Sequence, residues 1–384
     1  MAVVCGNCSG RLIFNPASQK LECASCGSSF RPEDVQDSNA ELHSKYYDTR
    51  VYICSHCGAE VVTSDTEVST FCVYCGNPAI VFNRIAKEYR PDGIIPFTVT
   101  KEDAIKYINL KFRKNLTVPK EVMDKVVPQN IRGIYIPYWI VNASFSEADY
   151  LVGYVKQGKQ KRKEYYQRAG EVELKNLPVD GSKMLNDDVS SRLEPFYLED
   201  SKVFDEDYLN GFYSNTSDTS YTDLRESTAE RCHKLYEEQV IKSIRADDVK
   251  IADCIYWVDI HNNPVYLMLP VWFFTFKYND KPYTILVNGQ TGKVVGTMPW
   301  VTKRVTTIAV GIFVALLTLF LLLIFGKLKG WEGFEGLYQQ VFVLVFGFSS
   351  AIFATSLVGL NKIKKNLKLT QSEDIFKFVK KRQE

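Results

Sequence analysis

"CGNCSGRLIFNPASQKLECASC", residues 5–26, and "CSHCGAEVVTSDTEVSTFCVYC", residues 54–75, share one spacing, C-x2-C-x14-C-x2-C. Each half brings two turn-borne cysteine pairs from two directions, the arrangement that encloses a tetrahedral ion. The ligand sets are Cys5, Cys8, Cys23 and Cys26, then Cys54, Cys57, Cys72 and Cys75. Four thiolates point to Zn2+, two ions per chain, and they close the coordination sphere, so both sites read as structural. Gly6, Gly27, Gly58 and Gly76 suit the tight knuckle turns. Between the pairs lie the short strand-like runs "RLIF", "KLEC", "EVVT" and "VSTF". Segments this small bury too little apolar surface alone, so the metal is expected to hold them. His56, inside a knuckle, reads as a turn residue because four cysteines already suffice.

Working outward, the chain has 384 residues, enough for two or three domains. Eight of its ten cysteines lie in the two sets, and "MAVVCGNCSG" lacks the basic start and apolar run of a signal peptide. Metal in a reducing compartment is the expectation, rather than disulfides. Lysine and arginine number 47 against 45 acidic residues, so charge arguments must be local. Residues 54–82 hold Glu60, Asp65 and Glu67 and no lysine or arginine, and residues 5–26 have only Arg11 and Lys20 against Glu22. Phosphate binding needs clustered cations. Nucleic acid is therefore the weaker expectation for the ribbons and protein docking the stronger, with Phe30, Phe71 and Tyr74 as apolar anchors.

The other end is apolar. "VTTIAVGIFVALLTLFLLLIF" (305–325) and "VFVLVFGFSSAIFATSLVGL" (341–360) carry no charge and have the length of bilayer spans. The expectation is a two-helix transmembrane hairpin, 305–326 and 339–360, contacting the lipid bilayer and flanked by interfacial Trp300, Trp331 and Tyr338. A basic tail, 361–384, follows, and the positive-inside rule puts both termini in the cytoplasm. Gly347, Ala351, Thr355 and Gly359, with Gly311 and Ala315, form small-residue stripes that suit close helix packing and an oligomer.

The middle, 92–299, reads as a mixed α+β cytoplasmic domain after a linker at 32–50. Taken whole, the fold class expected is multidomain: zinc ribbons at 1–31 and 51–85, the α+β domain, the hairpin and the tail. "TKEDAIKYINLKFRKN" opens with a capping pattern at Thr100 and Asp103 and places Ile105, Ile108 and Phe112 on one face. A second helix starts at Ser220 and Asp223, with Cys232, Leu235, Tyr236 and Val240 inward. "IYIPYWIV" and "LMLPVWFF" share a proline and a tryptophan, Pro137 and Trp139, then Pro270 and Trp272, and suggest two similar sheet units. Proline cannot donate to a ladder, so edges or bulges are expected there. Asn288-Gly289 marks a hairpin turn. The basic stretch "VKQGKQKRKEYYQR", with Lys156, Lys159, Lys161, Arg162, Lys163 and Arg168, reads as a charged hairpin tip, with phosphate binding as the competing reading.

No phosphate-binding loop, H-E-x-x-H pattern or nucleophile motif occurs, so no catalytic residue is assigned and an enzyme is not expected. Cys232 and Cys254 read as ordinary buried thiols.

The paired ribbons, "IYIPYWIV", "IIPF" (94–97), "PVD" (178–180), "LEPF" (193–196), "GFY" (211–213) and the "NGQTGK" hairpin together resemble a bacterial family of TFIIB-type zinc-ribbon membrane proteins. Members are often labelled helicase- or primosome-like, although the motor motifs are missing here. The resemblance covers nearly the whole chain. It implies protein partners of the phage-shock-protein-A and flotillin-like (SPFH) envelope-stress types, and no catalytic residues. The function expected is a membrane-anchored adaptor or scaffold; the alternative is a membrane-tethered nucleic-acid-binding protein.

Overall fold

The computed structural model describes residues 4–35, 45–63, 72, 74–75, 80–113, 115, 118–157, 160–182, 185, 187–279 and 281–299, with Gly311, Ala315, Thr318 and Phe325. The first cysteine segment is a three-stranded sheet of β1 (Leu12–Asn15), β2 (Lys20–Cys23) and β3 (Ser29–Phe30), followed by one turn of helix, α1 (Pro32–Val35). β4 (Tyr46–Cys54), β5 (Glu60–Thr63) and β6 (Ile80–Tyr89) frame the second. Next come β7 (Gly93–Ile94), α2 (Lys101–Phe112), α3 (Lys120–Met123), β8 (Ile131–Gln157) and β9 (Gln160–Asp180). The chain continues through α4 (Asp187–Leu193), β10 (Lys202–Val203), β11 (Tyr213–Ser214), α5 (Tyr221–Ser243), β12 (Asp247–Tyr278), β13 (Lys281–Asn288) and β14 (Val294–Val295). From β4 onward the strands form one sheet, in the order β10-β7-β12-β8-β11-β5-β4-β6, with β9 added to β8, β13 added to β12, and β14 added to β13.

The two proline–tryptophan strands lie side by side. β8 and β12 run antiparallel, with Pro137 opposite Met268 and Pro270 opposite Tyr135. Around this pair the surroundings repeat. Gly181 N–H donates to Pro137 O (2.9 Å) and Gly289 N–H to Pro270 O (2.8 Å). β11 pairs in parallel with β8, and β7 in parallel with β12. Asn215 N–H then reaches Tyr135 O, as Ile95 N–H reaches Met268 O, both at 2.9 Å. Each short strand leads into a helix capped by a hydroxyl, Thr100 for α2 and Ser220 for α5, bonding the N–H of Asp103 and Asp223. Two units of short strand, helix, long strand and return strand are thus built alike. Each lends its short strand to the other's long strand.

This arrangement explains the prolines. Neither is at a sheet edge, as expected from sequence; both sit in central strands. A residue's N and O point to the same side of a strand, so Pro137 and Pro270 turn their nitrogens away from the shared ladder. Pro137 falls between the end of β11 pairing at Tyr135 and the start of β9 pairing at Tyr138. Pro270 falls between β7, ending at Met268, and β13, starting at Val271. No ladder donor is needed at either gap.

The likeness stops at one end of the long strands. β9 has 21 residues and α5 has 23, against 8 in β13 and 12 in α2. The extra length forms a three-stranded arm, β9-β8-β12, leaving the main sheet at register shifts near Val141 and between His261 and Val265. α5 covers one face through Leu224, Cys232 and Val240 against Phe145, Leu151, Leu177 and Val258. Leu235, expected inward, is exposed; Tyr236 is partly buried and packs against the core as expected, and Leu224 and Thr228 also lie on the inward face.

The main core is aromatic. Phe97 stacks on Phe212 at 4.4 Å and lies 4.8 Å from Trp272 and 5.0 Å from Tyr135. Trp272 donates to Val99 O (2.9 Å), whereas its counterpart Trp139 donates to Ser217 and Thr219 and stacks on Tyr266.

Two expectations change. The last five residues of the 32–50 linker are strand, because Tyr46–Cys54 pairs with both β5 and β6. The two-span membrane placement with cytoplasmic termini is also corrected. Among the described residues no helix is long and apolar enough to cross a membrane, and these residues fold mostly as β-sheet. Apart from Gly311, Ala315, Thr318 and Phe325, the segments 305–326, 339–360 and 361–384 lie outside the described residues, as do Gly347, Ala351, Thr355 and Gly359.

The turn before β11 gives a pH prediction. Asp207 is buried, and burial first, then neighbouring Asp205, pushes its carboxyl up to about 7. A raised folded value favours the protonated form, so its stabilising effect is full below about 4 and is lost as pH rises to 7. Asp207→Asn should therefore raise the stability at pH 7.5, by on the order of 2 kcal/mol, and not at pH 4. Thermal melts at the two pH values check this; equal effects at both would count against it.

Candidate metal centres

Three of the knuckle turns are built by the same local bond. Ser9 N–H donates to Cys5 O (2.7 Å), Gly27 N–H to Cys23 O (3.0 Å) and Gly58 N–H to Cys54 O (2.8 Å). The donor in each is left-handed, with φ of 56° at Ser9, 73° at Gly27 and 78° at Gly58. Glycine carries no steric cost there. In the first knuckle the strained position falls on Ser9 and not on Gly6, as the sequence suggested; Gly76 lies outside the described residues.

These turns bring the expected cysteines together. In the first set Cys5 Sγ lies 3.6 Å from Cys26 Sγ, and Cys8 Sγ 3.4 Å from Cys23 Sγ. In the second, Cys54 and Cys75 are 3.8 Å apart and Cys57 and Cys72 3.7 Å. Within each set all four sulfurs lie within 4.8 Å of one another. A tetrahedron with metal–sulfur bonds of about 2.3 Å has edges of about 3.8 Å, so both sets fit one ion. The sets differ in exposure: Cys8 and Cys26 are exposed, whereas all four members of the second set are buried. The Ser28 hydroxyl, then its backbone N–H, pulls the Cys26 thiol down to about 6. Hydrogen bonding from Cys72 does the same for Cys54. Their neighbours Cys8, Cys57 and Cys72 are pushed up by the sulfur–sulfur contacts, so without an ion each set holds part of its thiols protonated, and ligation, which needs thiolates, releases those protons. His56 is exposed and lies outside the ligand set.

Neither centre stands free as a docking head. Phe14 packs on Tyr208 at 5.1 Å and its N–H donates to Asn210 O, while Gln19 Nε2 reaches Phe97 O (2.7 Å). Around the second centre, Tyr74 is buried, edge-on to Phe273 at 6.0 Å, and Val62 pairs with Ser214 of β11. The aromatics expected as exposed anchors are thus inward: Phe30 is only partly exposed and packs on the core, Tyr74 is buried, and Phe71 lies outside the described residues.

The basic stretch is the β8–β9 hairpin tip. Lys156 and Lys161 pair with Asp247 and Asp248 at 3.7 Å, and Arg162 pairs with Glu164. Lys159 lies outside the described residues. Sequence reasoning missed a third group, Glu147, His233 and Cys254, whose ligand atoms also lie within 4.8 Å of one another. Its members come from three elements with no motif spacing; only the Ser220–Asp223 cap, which fixes the start and phase of α5, hinted at where His233 would point.

The described residues thus define a β-rich protein built around two four-cysteine centres. Among curated proteins, the chain is 27% identical over 336 residues to the uncharacterized protein YdjG of Bacillus subtilis (strain 168), covering 81% of this chain and 95% of that protein. No protein-family model matches the chain, and no solved structure matches it.

Metal content is directly testable. Cys8→Ser combined with Cys26→Ser, both exposed, should lower the metal content of purified protein by one ion per chain. Elemental analysis showing no drop would rule out the first centre.

Proposed function

We propose that the chain is an adaptor that works by binding protein, with structural zinc in both tetrads. A set of four cysteine ligands leaves no coordination position for water or substrate, so zinc there contributes stability and no reaction.

The observation behind the docking reading is the arm face turned away from α5. Strand alternation puts Ile255 and Trp257 of β12 on it, beside Tyr150 and Tyr154 of β8 and Tyr165 of β9. Ile255 is 77% exposed, Trp257 63% and Tyr165 56%. At the Trp257 end α5 still reaches this face, through the Arg225 guanidinium 4.4 Å over the ring. Scattered single apolar residues need no explanation, but here Tyr150 stacks on Tyr165 at 5.7 Å, and exposed aromatics on one strand face are the residue types of an interface centre. The ion-paired hairpin tip is a poor phosphate site by comparison. The family resemblance adds candidate partners of the phage-shock-protein-A and SPFH types.

The test uses the full chain and a purified protein of each type. Binding is expected, weakened at least about tenfold, or 1.4 kcal/mol, by Ile255→Asp with Trp257→Asp. Failure to bind either protein, together with DNA or RNA binding that falls steeply with salt, would overturn the reading.

A further inference from the structure

The group on the covered face of the arm is chemically unlike the tetrads. Glu147 and Asp149 are two residues apart on β8 and so point the same way, towards α5. Cys254 on β12 stands directly across from Asp149, and Tyr256 directly across from Glu147. From above, α5 lowers His233 into the space. Its Nδ1 is 2.8 Å from Glu147 Oε1, and its ring stacks on Tyr256 at 5.1 Å and 24°.

Glu147 is 3% exposed and Asp149 4%. Among the described residues no donor group reaches Glu147 Oε2 or either Asp149 oxygen, and the two carboxyls are close enough to share a proton. Arg168, across from Asp149 on β9, does not supply one; it is exposed and donates to Gln167 O. Buried carboxylate oxygens without donors are costly unless a cation meets them. One shared proton would satisfy only part of this set. The position sharpens the point. The cluster lies in the arm, beyond the part of the sheet that the two units share, so the sheet's own closure does not demand it.

We propose that Glu147, His233 and Cys254 bind a third metal ion, a borderline divalent cation of the Zn2+ or Co2+ class. One oxygen, one nitrogen and one sulfur donor match such ions better than Mg2+ or Ca2+, which take oxygen alone. Three protein ligands leave a coordination position open, unlike the tetrads. Asp149 stands beside it as an acceptor for metal-bound water.

The experiment titrates full-length protein, its tetrads filled with zinc, with Co2+. One equivalent of Co2+, the third metal ion per chain, should bind and give a thiolate-to-cobalt charge-transfer band with tetrahedral visible absorption. Cys254→Ser should abolish the charge-transfer band. His233→Gln should weaken binding by about tenfold or more. Both variants should keep the tetrad zinc and the wild-type circular dichroism. His233 is partly exposed, so its variant serves if Cys254→Ser fails to fold. Absence of the band in wild-type protein, or its persistence in Cys254→Ser, would overturn the proposal. So would unaltered cobalt affinity in His233→Gln.

Discussion

Cys72→Ser should unfold far more than the second ribbon. Cys72 is fully buried, and its cluster is continuous with Ile134, Leu269, Val271, Phe273 and Leu286 of the main sheet. Structural zinc contributes about 10–16 kcal/mol in small metal-folded peptides. A whole domain is stable by about 5–15 kcal/mol. Loss of this centre is therefore comparable to the entire stability of the fold. Circular dichroism should show loss of sheet signal at room temperature, and strong chelation of the wild-type protein should give the same result. Cys26→Ser, at an exposed ligand, should be milder. An unchanged unfolding midpoint in Cys72→Ser would mean that the sheet closes without this metal.

Trp272→Ala comes next in size. Trp272 is 4% exposed, touches Phe97 and Phe212, and satisfies Val99 O. Truncating a buried tryptophan costs about 3–5 kcal/mol, and the abandoned carbonyl adds to that. The repeated architecture supplies an internal control. Trp139 occupies the equivalent place but is only partly buried, and its indole bonds two hydroxyls near the surface. Trp139→Ala should cost roughly half as much, since less packing is lost. Urea midpoints compared across the two variants decide the matter; equal losses would mean that the two places are not packed as differently as their exposure indicates.

The tetrads were legible because metal chemistry fixes spacing in the chain itself. So were the Thr100 and Ser220 caps, where a hydroxyl and a carboxylate three residues apart signal a helix start. The paired prolines and tryptophans carried the kinship of the two strands, but not where the prolines sit. Their edge expectation failed because a gap between two partners on one side of a strand has no sequence mark. The arm was also hidden. Its covered face carries Glu147 and Asp149 where alternation calls for apolar residues, so the strand lacks the pattern that would have shown its 27-residue length. Ribbon docking was missed because Tyr74 and Phe30 look alike in sequence whether they face solvent or Phe273 and the core. The Glu147–His233–Cys254 group depends on β8–β12 register and on the phase of α5 together, and no local pattern encodes that conjunction.

The exchanged short strands set the order in which a ribosome can finish this molecule. Gly93 and Ile94 emerge early, but their parallel partners are Leu267 and Met268. At about 5–20 residues per second, the wait is on the order of ten seconds or longer. Val62 likewise waits for Ser214, and Phe14 for Tyr208. Throughout that time the nascent chain holds its cysteines and the apolar edge of β8 without their permanent neighbours. Early capture of metal by the tetrads would shorten that exposure for the cysteines. A chain stopped after Asp180 would own a complete first unit and still lack the strand that closes it.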